Sequence, residues 1–187
     1  MQSYIREFRK LISPEISKKI ISYFDDSFED ATITNKENPT DKKIRNCQTT
    51  SLLIRKKESF GKRLITNFVI KTLKDAVSVY QQDFSQLETT KISQLDLLKY
   101  ETNNYDAGFK WHIDHGAGGV AERALSLFLC LNNNFSGGEF LFNLPNDQLQ
   151  VQQNVGDLII FPSSFMFPHQ VNKVTSGTRY ALIGWVV

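Results

Sequence analysis

Four side chains in the C-terminal part of the sequence have types and spacing that could do chemistry together: His112, Asp114, His169 and Arg179. Two imidazoles and one carboxylate form a facial triad, the ligand set that binds non-haem Fe(II) and leaves other coordination positions open. Zinc accepts the same ligands. The sequence has no HExxH arrangement, however, to supply the glutamate that hydrolytic zinc sites use as a general base. His112 and Asp114 stand two apart, and in an extended strand residues i and i+2 point to one side. Both can therefore reach one ion, whereas His115 points the other way. The chain has 3 His, so His169 is left to complete the set. Arg179 lies in Gly177-Thr178-Arg179-Tyr180-Ala181-Leu182-Ile183-Gly184-Trp185. If residues 179, 181, 183 and 185 alternate inward, a guanidinium enters an apolar interior, which is costly without a partner. Its fork suits a carboxylate held bidentately, so Arg179 could hold an acidic co-substrate beside the metal.

The elements that must position these residues divide the chain in two. Ser13-Pro14-Glu15 is a helix start, with an N-cap hydroxyl, Pro at the first helical position and an acid in the first turn. Ile16, Ile20, Ile21 and Phe24 follow at helical spacing, so a helix is expected over about 14–25. Residues 30–46 read as a polar loop, and Thr49 to Ile54 as a strand. From Glu58 to Phe84, the residues Phe60, Leu64, Phe68, Leu73, Val77 and Tyr80 mark a long amphipathic helix that buttresses a sheet. After residue 90 the pattern changes to short strand-like runs at 93–100, 125–131, 139–143, 157–161, 169–172 and 179–187. Clusters such as Asn132-Asn133-Asn134, Ser136-Gly137-Gly138 and Pro145-Asn146-Asp147 separate them. Val155-Gly156-Asp157 opens the apolar strand before Pro162, and His169 stands where the chain re-enters a strand. The expected class is α+β: a jelly-roll core with the N-terminal helices packed on one face. We read one domain over 1–187, with 1–90 as mainly helical support and 91–187 as the core.

Composition narrows the function classes. Net charge is +2, too small to argue for nucleic acid. The charge is uneven: residues 1–75 hold 16 Lys/Arg against 10 Asp/Glu, and residues 76–187 hold 6 against 10. The basic half reads most simply as a solvated helical surface. The 14 Phe suggest an aromatic interior or pocket. Cys47 and Cys130 are far apart and form no CxxC motif, so reduced thiols are expected. The N-terminus lacks the apolar core of a signal peptide, and no apolar run approaches the roughly 18 residues of a membrane span. A cytoplasmic protein without a membrane partner is expected.

Over roughly residues 92–187 the sequence resembles the 2-oxoglutarate- and Fe(II)-dependent dioxygenases, in particular their prolyl 4-hydroxylase-like branch. The likeness is carried by Tyr100, the run Phe109-Lys110-Trp111-His112-Ile113-Asp114, Leu131-Asn132, Gly137-Gly138-Glu139, Gly156-Asp157, His169 and Gly177 to Trp185. It implies a double-stranded β-helix (jelly roll) with iron held by His112, Asp114 and His169. It also implies 2-oxoglutarate chelating the iron with its far carboxylate on Arg179, near the Tyr100 hydroxyl, and Trp185 lining the same pocket. O2 would be the oxidant and ascorbate an external reductant, with succinate and CO2 released. Two positions depart from the pattern. Cys130 stands where some relatives carry a tyrosine that binds the co-substrate, and Phe109 stands where many have Tyr.

For substrate, the resemblance implies proline in a protein or peptide. Tyr105, Phe109 and Arg123 are substrate-side candidates by position, and segments 30–46 and 101–110 are candidate loops over the site. Hydroxylation of a free amino acid or another small molecule is the alternative. A catalytically silent binding module is a third reading, opposed by the intact set of four residues. Nucleic-acid demethylases of the superfamily use a second Arg six residues beyond the first, where this chain has Trp185. Halogenases lack the metal carboxylate, which Asp114 supplies here.

Overall fold

The structure is a computed structural model that describes residues 1–33, 37–53, 58–89, 91–102, 106–116 and 120–187. After a short 3-10 turn at Gln2–Tyr4 come β1 (Arg6–Phe8), α1 (Pro14–Phe24), β2 (Glu29–Asp30), β3 (Arg45–Asn46), β4 (Gln48–Ser51) and α2 (Phe60–Asp83). The remaining strands are β5 (Ile92–Glu101), β6 (Gly108–His112), β7 (Leu125–Cys130), β8 (Phe135–Gly137), β9 (Phe140–Leu144), β10 (Asp147–Val151), β11 (Leu158–Pro162), β12 (His169–Val171) and β13 (Val174–Val186). The architecture is the expected α+β double-stranded β-helix.

The strands form two sheets. The major one runs β1-β11-β7-β13-β5-β4-β2, with β8 paired to β13, and the minor one runs β10-β9-β12-β6-β3. Every described pairing is antiparallel, the arrangement expected of a jelly roll. Strand alternation sorts the major sheet into two faces. Leu95, Leu97, Leu127, Leu129, Leu158, Ile160 and Leu182 pack with Ile20, Phe24, Val69, Leu73 and Val77 of the helices. Leu98, Tyr100, Phe128, Cys130, Ile159, Phe161, Ala181, Ile183 and Trp185 turn the other way, toward Phe140, Phe142 and Val171 of the minor sheet. The helices thus cover the outer face, and the inner face lines the interior where chemistry can be placed.

The first helix begins as the sequence indicates, while the second begins at Phe60, after a Ser59 cap and two residues later than expected. The Ser13 Oγ accepts a hydrogen bond from the Ile16 N–H at 3.3 Å, and the Ser59 Oγ accepts from Lys62 at 3.2 Å. The expected apolar stripe of α2 needs correction. Phe60, Leu64 and Phe68 are exposed, at 72%, 61% and 43%, while Ile65, Thr66, Val69, Leu73, Ala76, Val77 and Tyr80 face the sheet. The step from Phe68 to Leu73 is five residues, a rotation of about 140° at 3.6 residues per turn, so the two groups lie on different faces.

Several strands were not visible as patterns. Polar segment 30–46 carries the ends of two short strands, β2 and β3. Pro145 and Asn146 make a two-residue hairpin, and Asp147 already pairs with Leu144. The last strand begins earlier than expected, at Val174, and so includes Gly177. This glycine lies inside β13 at φ +74°, where pairing passes from β8 to β5. A Cβ there would meet the Asn134 carbonyl oxygen at 2.7 Å and occupy a conformation L side chains rarely adopt.

Candidate active site

His112 ends β6 and His169 begins β12, and these strands pair so that the two residues are directly opposed. Asp114 is not on the strand with His112, as expected from the sequence, but in the bend just after it. Its carboxylate still comes between the two rings. The His112 Nε2 lies 3.7 Å from the Asp114 Oδ1, and the His169 Nε2 lies 3.7 Å from the Oδ2. One ligand atom from each of the three residues lies within 4.8 Å of the other two. His115 is exposed and outside this group.

Each ligand is held by a second contact. The His112 Nδ1 sits 2.7 Å from the Lys110 carbonyl oxygen, and the His169 Nδ1 sits 3.1 Å from that of Phe167. A carbonyl can only accept, so each Nδ1 carries the proton and each Nε2 presents its lone pair. The Ser126 hydroxyl donates to the Asp114 Oδ2 at 2.6 Å and lies 2.8 Å from the Ser163 hydroxyl. Burial pushes the Asp114 carboxyl up, but the His169 and His112 rings and the Ser126 hydroxyl outweigh it, and it stays below the usual carboxylate range. Burial, with His169 beside it, brings His112 down from 6.5 to about 3. His112 is thus held neutral and Asp114 ionised, the protonation states a metal needs of such ligands.

The surroundings are aromatic. Phe161, Phe140 and Phe142 surround the His169 ring at centroid distances of 5.0, 5.4 and 5.9 Å. Phe109 stacks on His112 at 3.5 Å, with the Arg45 guanidinium 4.9 Å from the Phe109 ring. The substrate candidate Phe109 is therefore a support for a ligand ring. Arg123, a second candidate, also has internal partners. It donates to the Asp114 carbonyl at 3.2 Å and to Gln94 at 2.9 Å, and its guanidinium lies 3.6 Å from the Trp185 ring centroid. Trp185 thus stands with Arg123 at the Asp114 end of the interior. The third candidate, Tyr105, lies outside the described residues.

Arg179 is on β13, directly opposite Tyr100 of β5, and is 1% exposed. Its guanidinium lies 4.9 Å from the Tyr100 ring, 5.1 Å from that of Phe128 and 6.0 Å from that of Phe135. The Nε and Nη2 donate to the Gln153 Oε1 at 3.0 and 2.8 Å, and Nη1 has no hydrogen-bond partner. Burial pulls the guanidinium below its ordinary value, but an arginine stays charged at any physiological pH. Burial also pushes the Tyr100 hydroxyl up and the Cys130 thiol up to about 11, so both groups around this cation are neutral.

The motifs around Arg179 have structural explanations. Asn132 donates to the Thr178 carbonyl and accepts from the Tyr180 N–H, both at 2.7 Å, which clamps β13 on either side of Arg179. Gly138 has φ +66°, and a Cβ there would meet the Arg179 Cδ at 2.9 Å. Asp157 accepts from Arg9 at 2.7 Å and from the Lys10 N–H at 2.8 Å, tying the N-terminal strand to the sheet.

Sequence reasoning missed Ser126, Ser163, Gln153, Gln94, Asp96 and Arg45. Their signal was slight: Ser126 is one hydroxyl in an otherwise apolar strand, and Gln153 lies in a polar connection. A groove of about 890 Å³ runs beside the ligand-bearing strands, lined by residues including Ile44, Asp106, Phe109, Lys110, Val171 and Lys173. It takes in parts of segments 30–46 and 101–110, and it meets the metal cluster through Phe109, which stacks on His112, and Lys110, whose carbonyl bonds that ring.

Residues 97–187 match the family model of the 2OG-Fe(II) oxygenase superfamily. A PKHD-type hydroxylase of Gloeothece citriformis is 26% identical over 138 residues, covering 72% of this chain and 60% of the relative. The chain spans less than two-thirds of the length of the curated relatives it matches. A Pseudomonas putida prolyl-4-hydroxylase superposes with a TM-score of 0.75 at 16% identity, covering 98% of this chain and 91% of that one. A Trichoplax adhaerens prolyl hydroxylase, in complex with a hypoxia inducible factor oxygen degradation domain peptide fragment, gives 0.74 at 17% identity, covering 98% and 83%. No described helix is long and apolar enough to cross a membrane.

Proposed function

We propose that this chain, whose residues 97–187 match the family model of the 2OG-Fe(II) oxygenase superfamily, is an Fe(II)- and 2-oxoglutarate-dependent hydroxylase of the prolyl-hydroxylase-like kind. The observation that carries this reading is a pairing in one interior: a His-Asp-His donor set, and a buried arginine with an unsatisfied N–H. Both fit the groups the reading needs. The Nε2 lone pairs and the ionised Asp114 suit a divalent iron. The Arg179 Nη1 suits a carboxylate brought from outside. With O2, iron bound there would couple decarboxylation of 2-oxoglutarate, to succinate and CO2, to hydroxylation of a substrate C–H bond.

The chain's own residues supply the rest. His112, Asp114 and His169 would hold the metal. Arg179, beside Tyr100, orients the co-substrate by its far carboxylate. Phe140, Phe142 and Phe161 keep water from the His169 side. For substrate we favour proline in a protein or peptide, because a groove of about 890 Å³ runs along β6 and β12 next to Phe109. Arg123 and Trp185 form the wall beside Asp114 against which such a substrate would rest. We also expect ascorbate to sustain turnover as an external reductant.

A free amino acid is the second reading, and Asp96 favours it. This carboxylate is 7% exposed, on the same face of β5 as Tyr100, and accepts from Gln94 at 2.5 Å. Gln94 also accepts from Arg123, so one amide joins an acid and a base in the same interior, a pair that suits the two charges of a zwitterion. Succinate formation should be measured with Fe(II), 2-oxoglutarate and ascorbate over a panel of proline-containing peptides and free amino acids. Turnover with peptides alone supports the first reading, and turnover with free amino acids alone replaces it with the second. Absence of both 2-oxoglutarate binding and succinate would sink the enzyme reading.

A further inference from the structure

We infer that Gln153 is a positioning residue for the co-substrate: its neutral carboxamide holds the Arg179 fork while leaving the arginine's charge free for an incoming carboxylate. The inference rests on the reading that 2-oxoglutarate is bound at Arg179. Gln153 follows β10, in the connection that leads to Gly156 and β11. Its Nε2 donates to the Gly138 carbonyl at 3.0 Å. That bond fixes the amide orientation, because a carbonyl can only accept, and it aims Oε1 at Arg179. One oxygen then accepts from both Nε and Nη2, at 3.0 and 2.8 Å. The guanidinium is thereby held on its Nε edge, while the buried Nη1 is left without a hydrogen-bond partner and the Tyr100 and Phe128 rings lie 4.9 and 5.1 Å from the guanidinium carbon.

The neutrality of this partner matters. No carboxylate pairs with Arg179 among the described ion pairs. A glutamate here would nearly match glutamine in shape and would cancel the charge a co-substrate needs. It would also place an oxygen against the Gly138 carbonyl in place of the donated hydrogen bond. A protein built only to bury Arg179 would use that acid, since a buried unpaired cation is costly. Glutamine instead satisfies two N–H groups and leaves the Coulombic demand open. Gly138 belongs to the same device. It supplies the carbonyl that orients Gln153, and its missing side chain makes room for the Arg179 stem.

The test is anaerobic calorimetric titration of 2-oxoglutarate into Fe(II)-loaded wild type, Gln153→Ala and Gln153→Glu. A parallel titration uses 2-oxobutanoate, which keeps the keto acid but lacks the far carboxylate. Fe(II) affinity without co-substrate checks that each variant is folded. We expect 2-oxoglutarate affinity to fall about 3- to 10-fold in Gln153→Ala and about 100-fold or more in Gln153→Glu, on the scale of truncated or competed charge pairs. Affinities for 2-oxobutanoate and Fe(II) should stay within about twofold of wild type, because residues remote from a contact contribute independently. Equal 2-oxoglutarate affinity in all three proteins would overturn the inference. So would equal losses for both keto acids, which would mark Gln153 as merely structural. If Arg179→Ala also leaves 2-oxoglutarate affinity unchanged, the fault lies with the parent reading rather than with Gln153.

Discussion

The two ends of the interior are completed to different degrees. At the metal-ligand end, each ring has its Nδ1–H on a backbone carbonyl and the carboxylate has its serine. The Asp114 carboxylate there lies 3.7 Å from the Nε2 of each imidazole. At the Arg179 end, a buried cation leans on a neutral amide and aromatic rings, with Nη1 unsatisfied. The first end is pre-organised by its own side chains. The second leaves one buried donor that an incoming ligand could satisfy. The difference teaches where to look for binding energy: an unsatisfied buried donor is worth more to an incoming anion than one already bonded.

The largest test of this contrast removes one member from each end. His169→Ala should lower Fe(II) affinity by more than about 100-fold, beyond the roughly 10- to 100-fold typical of outer-shell partners. His115→Ala should leave it nearly unchanged. Anaerobic titration measures both, and equal losses would overturn the ligand assignment. At the other end, Arg179→Ala should cost about 2–5 kcal/mol of 2-oxoglutarate binding, the range for truncating a buried hydrogen-bonded charge pair. Arg179→Lys should keep part of that affinity through its charge while losing the fork. An affinity in Arg179→Ala equal to wild type would remove Arg179 from the pocket.

Ser126→Ala sharpens the comparison from inside the complete end. It should weaken Fe(II) binding about 10- to 100-fold, as loss of an outer-shell hydrogen bond does, with no direct effect at Arg179. A pH titration of metal-free protein gives the smallest effect. His112 binds its proton at about 3 in the folded state against 6.5 ordinarily. In that window the unfolded chain takes up protons that the folded one refuses, so stability is present above 6.5 and is lost as pH falls toward 3. The lowered Asp114 acts in the same direction. Melting temperatures measured across this range should decline less steeply in His112→Gln, and an unchanged slope would show that His112 is not held neutral.

Much of this site was readable before any coordinates. Chain order and residue type marked His112, Asp114, His169 and Arg179, since metal ligation and carboxylate binding demand rare side chains. The inward phase of Arg179 followed from strand alternation and is what the structure has: Ala181, Ile183 and Trp185 share its interior face. The outer shell was not readable. Nothing in Leu125-Ser126-Leu127 says that the hydroxyl meets Asp114, and nothing near Gln153 says that its amide meets a residue on the last strand. The stripe over Phe60, Leu64 and Phe68 misled because apolar spacing alone does not say which face of α2 the sheet will cover.

The sequence by itself therefore determined the class of fold, the start of the first helix and the identity of the candidate ligands. Local spacing, capping chemistry and side-chain type act over a few residues and survive in one dimension. Tertiary structure alone decided which atoms face the metal position, because the tautomer of each imidazole depends on a carbonyl set by backbone shape. It alone put Phe109 on His112 and Arg123 on Trp185. It also decided that Arg179 would meet a neutral amide and keep one N–H bare. Those contacts join residues far apart along the chain, and register between strands, rather than local pattern, brings them within hydrogen-bond reach.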